Sequence, residues 1–203
     1  MVVARSLSYA IDAKDSHTHG HSLRVSQRAM RIAEALGLSP KEKDALELAA
    51  LLHDIGKMRV PVKILNKKGP LTEEEYDVVK EHPITGFRIL REITSRDDVA
   101  CYVRHHHERY DGNGYPDGLA GRDIPKMSRI LAVADVYDAI TSRRPYRNPR
   151  SASVAVSELR KCAGSQFDPE MVDIFVGLFG KESGRKQSSG TDGCRQGNAP
   201  KAI

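Results

Sequence analysis

The sequence predicts an all-α fold, and three observations carry that expectation. Apolar residues recur at three- and four-residue spacing in one segment after another. No segment shows the sustained period-two alternation of a half-buried strand. The interruptions are helix punctuation: Ser39-Pro40, Thr72 followed by Glu75, Pro83, Asp97 and Asp168-Pro169 each stand at a helix boundary. At 203 residues the chain is the length of one ordinary domain, enough for a full hydrophobic core.

The elements follow in order. From His21, the residues Val25, Ala29, Ile32, Ala33 and Leu36 fall on one helical stripe that Gly37 closes. His21 lies four residues before Val25, on the core side, where a histidine is either a satisfied core residue or a ligand. Residues 45–52 form an apolar helix whose stripe of Leu48, Leu51, Leu52 and Ile55 places His53 and Asp54 at a buried end, with Lys57 three residues on. A carboxylate buried there is costly unless it is paired or binds a metal.

A polar connection with an apolar island at Val62, Ile64 and Leu65 leads to the Thr72 and Glu75 capping box, which opens the next helix. Pro83 disfavours helical geometry at the residue before it, so His82 sits at a junction of two helices. Asp97 can cap the following helix, whose Val99, Tyr102 and Val103 lead by helical spacing to His106. Three consecutive histidines, His105 to His107, in the interior of a chain favour metal binding, although imidazole suits several metals alike. Residues 108–125 break the pattern with Gly112, Gly114, Gly118 and Gly121, a loop placed to wall a site. The next helix carries Leu131, Asp135 and Asp138 on one face, so both carboxylates need partners. Arg143, Arg144, Arg147 and Arg150 gather near its end. A last pair of helices, about 151–163 and 169–179, completes a bundle of about seven.

Composition narrows the function. After Gly180, Lys181, Arg185, Lys186, Arg195 and Lys201 stand against Glu182 and Asp192, a net of +3 that leaves +2 of the total +5 to the body. Such a Gly-, Ser- and Lys-rich tail, residues 181–203, reads as disordered. The body has no basic helix face with interleaved aromatics, so polymeric nucleic acid is disfavoured as a partner. There is no membrane span and no secretory h-region, and the reading is cytoplasmic. Cys101, Cys162 and Cys194 are odd in number and scattered, and are read as inert thiols.

The run His53-Asp54-Ile55-Gly56-Lys57, followed by His106-His107-Glu108-Arg109-Tyr110-Asp111-Gly112-Asn113-Gly114-Tyr115-Pro116, resembles the HD-GYP family of the HD phosphohydrolase superfamily. The similarity spans about residues 13–179 and includes Lys80-Glu81-His82-Pro83, Ala134-Asp135-Val136-Tyr137-Asp138-Ala139 and Arg144-Pro145-Tyr146-Arg147. The resemblance implies a single HD-superfamily helical bundle with a Gly-rich GYP loop, spanning residues 15–180. It implies hydrolysis of the bacterial messenger cyclic di-GMP to pGpG or GMP with two or three divalent ions, iron or manganese first, zinc or nickel next. The implied ligands are His21, His53, Asp54, His82, His106, His107 and Asp135, with Asp54 bridging two ions. A hydroxide held between the ions would attack the phosphorus, so Asp54 and Lys57 are the implied catalytic residues. Lys57, Arg144 and Arg147 would hold the phosphate, Gly114 and Tyr115 would shape the pocket, and Asp138 would orient a ligand from behind. It further implies that residues 1–14 end a linker helix from an upstream sensor or receiver domain. Through that helix two copies could pair, and diguanylate cyclase domains could dock around Tyr115. Two readings stand beside this one: a catalytically weak cyclic-dinucleotide sensor or interaction module, and a different HD-superfamily nucleotide phosphohydrolase. The complete Gly114-Tyr115-Pro116 run speaks against the second.

One position departs from the family pattern. His17 lies one helical turn before His21, where three-metal members carry a glutamate and many two-metal members an aromatic residue. An imidazole there either packs as the aromatic does or supports a further metal, with Asp15 nearby to orient it or hold a water.

Overall fold

The computed structural model describes residues 1–15, 20–142 and 148–180. His17, Arg143, Arg144, Arg147 and the tail 181–203 therefore lie outside the described residues. Among the described residues the fold is helical and holds ten α segments: α1 Val2–Lys14, α2 His21–Ala35, α3 Pro40–Leu52, α4 Val62–Leu65, α5 Glu73–Lys80, α6 His82–Ile93, α7 Asp97–Arg104, α8 Lys126–Thr141, α9 Ala152–Lys161 and α10 Pro169–Phe179. The all-α class is as expected; the number exceeds about seven. The apolar island at Val62 to Leu65 is a helical turn of its own, and the chain re-enters a helix at His82, one residue after α5.

Local chemistry explains most boundaries. Ser39 caps α3 in a capping box with Glu42, and Thr72 caps α5 in one with Glu75. Ser151 and Asp168 cap α9 and α10, accepting from the amides of Val154 and Glu170. Gly37, at φ 64°, ends α2 with the Leu38 amide folded back on the Ala33 carbonyl. Asp97 does not cap α7. It is the first helical residue, its carboxylate accepts from Arg91 Nε at 3.1 Å, and Arg96 holds the cap position.

The core runs through α2, α3, α7, α8, α9 and α10, with Val25, Ala29, Ile32, Leu46, Leu51, Val103, Leu131, Leu159 and Phe175 buried in it. Each fully buried Leu, Ile or Phe side chain contributes about 1.5–3 kcal/mol by leaving water. Tyr137, Phe175 and Phe179 pack as tilted rings, with centroids 4.8 Å and 4.5 Å apart along the row. α1 joins this body through Ala4 and Ile11. Val60, Ile64 and Val79 form a small satellite cluster beneath the α3 to α5 connection.

Two contacts bring the end of α3 to the rest of the site. The 3-10 turn Ile55–Arg59 lies directly on the start of α6. A Cβ on Gly56 would stand 1.9 Å from the His82 carbonyl oxygen and 2.7 Å from the Gly86 nitrogen, so only glycine permits the approach. From the other side the Lys14 ammonium donates to the carbonyls of Lys57 at 3.1 Å and Val60 at 2.9 Å, and to that of Met58. The end of α1 is thereby clasped onto the turn that carries Lys57.

Candidate metal centre

Four histidines share one hydrogen-bonding rule, which fixes where their lone pairs point. His53 Nδ1–H donates to the Ala50 carbonyl at 2.8 Å, His82 to Val79 at 2.7 Å and His106 to Val103 at 2.6 Å. A carbonyl only accepts, so each Nδ1 carries the proton and each Nε2 presents a bare lone pair. The fourth, His21, makes the same kind of contact from Nδ1 to Asp138 Oδ2 at 2.7 Å. Each of the three carbonyl acceptors belongs to the residue three before its histidine, so the backbone itself presets the rings.

The inward nitrogens then face one another without protons to share. His82 Nε2 and His106 Nε2 are 3.4 Å apart, and His53 Nε2 is buried with no hydrogen-bond partner. Burial pushes the His82 ring down to about 3, helped by His107, and holds His106 well below the ordinary imidazole range. Neither ring carries a second proton at neutral pH. Lone pairs converging at that distance repel unless a cation lies between them, and a bare buried nitrogen is costly without one. This donor set fits a divalent ion.

The carboxylates complete two groups. Donor atoms of His21, His53 and Asp54 lie within 4.8 Å of one another, as do those of His82, His106 and His107. Asp54 stands between them, with Oδ2 3.5 Å from His53 Nε2 and Oδ1 3.5 Å from His82 Nε2. Burial would raise its pKa, but Lys57, His53 and His82 outweigh that and hold it well below the usual carboxylate range. Asp135 Oδ1 lies 3.2 Å from His21 Nε2 and is ionised by its histidine neighbours despite burial. Burial alone would lower His21, yet Asp135 and Asp138 hold it up at about 9. His107 is pushed down to about 4 by burial, Lys57 and His53, against the opposing pull of Asp135 and Asp54.

Lys57 is itself buried and donates to Asp54 Oδ2 at 2.9 Å, with Asp15 Oδ2 3.8 Å away. Tyr115 stacks on His107 at 5.0 Å between centroids, and burial raises its phenol far above the ordinary range. Gly114 is packed against the backbone of Glu108 and Arg109, where a Cβ would come within 2.2 Å of the Arg109 nitrogen. Its role in the loop is close backbone packing.

The structure thus brings His21, His53, Asp54, Lys57, His82, His106, His107, Asp135, Tyr115, Asp15 and Asp138 to one place. His105, the first of the triple, turns away to Asp117 at 2.8 Å. Sequence reasoning missed Glu108, whose buried carboxylate accepts from the amides of Asp117 at 2.7 Å and Leu119 at 3.2 Å and so ties the glycine loop down. It also missed Arg24 and Arg28, which bind Asp138 across helices. Their spacing of four residues on the His21 helix was the available signal.

Comparison with known proteins agrees with this architecture. The HD domain family model matches residues 5–171. A Thermotoga maritima protein named as a cyclic di-GMP phosphodiesterase is 43% identical over 87% of this chain and 48% of its own length. The Xanthomonas campestris cyclic di-GMP phosphodiesterase response regulator RpfG is 45% identical over 84% of this chain and 46% of its own. The chain therefore spans about half the length of the relatives it matches. Among solved structures, a cyclic GMP-AMP specific phosphodiesterase of V. cholerae superposes with a TM-score of 0.69 at 23% identity, over 92% of this chain and 50% of that one. The L. monocytogenes phosphodiesterase PgpH HD domain does so at 0.62 and 17% identity, over 89% of this chain and 99% of that one. These two likenesses speak for the fold. With histidines and carboxylates gathered as described, and Gly114-Tyr115-Pro116 walling them, the chain belongs to the HD-domain family, in its HD-GYP branch.

Proposed function

We propose that the chain is a metal-dependent phosphodiesterase that hydrolyses cyclic di-GMP to pGpG, to GMP, or to both. The observation that carries this reading is the 3.4 Å approach of His82 Nε2 to His106 Nε2 beside the bare His53 Nε2, a cluster of lone pairs built for cations. Two ions suit the two donor groups, iron or manganese before zinc or nickel, and Asp54 is placed to offer one oxygen to each group. Bound there, such ions would lower the pKa of a coordinated water and offset charge on the phosphodiester.

The remaining steps belong to the side chains. Asp138 accepts the proton of His21 Nδ1 and so makes Nε2 the nitrogen that would face an ion. Lys57 keeps its ammonium beside Asp54 at the edge of the cluster, where it can hold a phosphate oxygen and answer the negative charge that grows during attack. Tyr115, stacked on His107, gives the pocket an aromatic wall for a nucleobase. Arg144 and Arg147 are proposed as further phosphate contacts, and His17 as support for a third ion. The substrate choice draws on relatives named as cyclic di-GMP phosphodiesterases at 43% and 45% identity, ahead of a 3'3'-cGAMP-specific phosphodiesterase of Vibrio cholerae at 37%. Diguanylate cyclase domains at the GYP loop, a sensor or receiver domain ahead of α1 and pairing of two copies are proposed partners; the cytoplasm is the proposed location. Among the described residues no helix is long and apolar enough to cross a membrane.

The test is chromatography of cyclic di-GMP, 3'3'-cGAMP and pGpG after incubation with protein loaded separately with Mn(II), Fe(II), Zn(II) or Ni(II). Cleavage of cyclic di-GMP fastest with iron or manganese is expected. A preference for cGAMP would correct the substrate, and intact dinucleotides with every metal would leave a binding module instead.

A further inference from the structure

α2 turns two arginines towards α8 that the chemistry above does not use. Arg24 forks onto the carboxylate of Asp138, with Nε 2.8 Å from Oδ1 and Nη2 3.0 Å from Oδ2. Arg28 Nη1 adds a bond of 2.7 Å to Oδ1, and Ser142 Oγ donates to Oδ2 at 3.1 Å. The same Oδ2 accepts His21 Nδ1–H at 2.7 Å. Asp138 is wholly buried, while the side chains of Arg24 and Arg28 keep 35% and 20% of their surface in solvent.

Five donors converge on a group with about four lone-pair directions, so this carboxylate can neither rotate nor choose another partner. The fork matters as much as the charge. A bidentate guanidinium fixes the plane of the carboxylate, whereas a single ammonium at the same place would leave that plane free to turn about its contact. The plane of Asp138 sets the line along which His21 donates, and that line sets where Nε2 points, 3.2 Å from Asp135.

We propose that Arg24 and Arg28 are positioning residues: by locking Asp138 they fix the ring of His21 and so tighten the ion held by the His21, His53 and Asp54 group. The proposal rests on the metal reading of the site. It places the last support of that site further along α2, about one and two helical turns from His21, at residues outside both donor groups. The competing account is that the arginines only neutralise a buried carboxylate. In that case a lysine at position 24 would serve as well.

The experiment is calorimetric titration of Mn(II) into the demetallated full chain, as wild type and as Arg24→Met, Arg24→Lys, Arg28→Lys and Arg31→Met. Thermal unfolding of each demetallated variant verifies that it is folded. Arg24→Met and Arg24→Lys are expected to weaken one Mn(II) by about tenfold, the lower end of what loss of an outer hydrogen bond does to a metal site. Arg28→Lys, which keeps a single donor on Oδ1, should weaken it less. Arg31, whose guanidinium lies 5.3 Å over the Phe179 ring, should leave it unchanged on replacement. Mn(II) affinity of Arg24→Lys equal to wild type would overturn the proposal, and because that variant keeps the charge it decides the matter even if Arg24→Met fails to fold. A wild type that takes up no Mn(II) would instead overturn the metal reading, and this proposal with it.

Discussion

One proton on each imidazole decides whether this cluster receives a cation or a hydrogen bond. Backbone carbonyls take that proton at His53, His82 and His106, which leaves three bare Nε2 atoms; at His21 Asp138 takes the Nδ1 proton, and Nε2, protonated beside Asp135 in the metal-free protein, would be freed when an ion displaces its proton. Asp54→Ala should therefore abolish turnover and lower bound metal, read by elemental analysis, because its two oxygens serve both groups. Lys57→Ala should keep the metal and slow turnover by about 10²–10³-fold, as removal of one preorganised donor does; lost metal in that variant would contradict the division of roles. The same protonation states fix a pH profile for the demetallated protein. His82 and His107, at about 3 and about 4, lie below the unfolded value near 6.5, so the stability they contribute is lost as pH falls below 6.5. His21, at about 9, lies above it, so its contribution is complete below 6.5 and is lost as pH rises towards 9. Thermal unfolding across pH should show a maximum near 6.5, and stability rising steadily from 6.5 to 9 would refute the His21 assignment.

At the scale of elements, what the sequence made legible was whatever is local. Capping at Ser39, Thr72 and Asp168 follows from neighbours within three residues, and so does the junction at His82-Pro83. The stripe on α2 and the buried end of α3 follow from periodicity, which is why His21, His53 and Asp54 could be read as costly to bury. Contacts between elements were not legible. Gly56 drew no reading beyond its place in the His53 to Lys57 run, yet it is the point where the 3-10 turn meets α6. Gly56→Ala should destabilise by at least the 1–3 kcal/mol or so usual for overpacking, because the obstruction is backbone and cannot swing aside; a melting temperature unchanged from wild type would show that the turn does not sit this close. Lys14 likewise read as the end of a leading helix, and its three carbonyl contacts appear only in the fold. Lys14→Met should slow turnover by up to about 10²-fold at unchanged metal content, as expected when a reacting group is slightly misplaced, and turnover equal to wild type would show that the clasp does not position Lys57.

At the scale of the molecule, a helical core carries at its edge a site that, among the described residues, is assembled from five elements: α2, the α3 end with its 3-10 turn, α6, the α7 end with its glycine loop, and α8. Ions held by donors spread over so many elements would staple the fold as well as supply its chemistry. It also explains why histidine spacing alone could not choose among ligands, since His105 and His106 are adjacent and face opposite ways. The chain spans about half the length of relatives such as RpfG, and within it α1 carries Lys14 to the Lys57 turn. The most direct measurement is turnover of cyclic di-GMP followed while metal-free protein is titrated with Mn(II), with bound metal counted at every step. No turnover is expected without metal, the rate should climb with occupancy until both donor groups are filled, and Asp54→Ala should show none at any occupancy. Hydrolysis at full rate by the metal-free protein, or none by the fully loaded wild type, would contradict a metal-dependent phosphodiesterase.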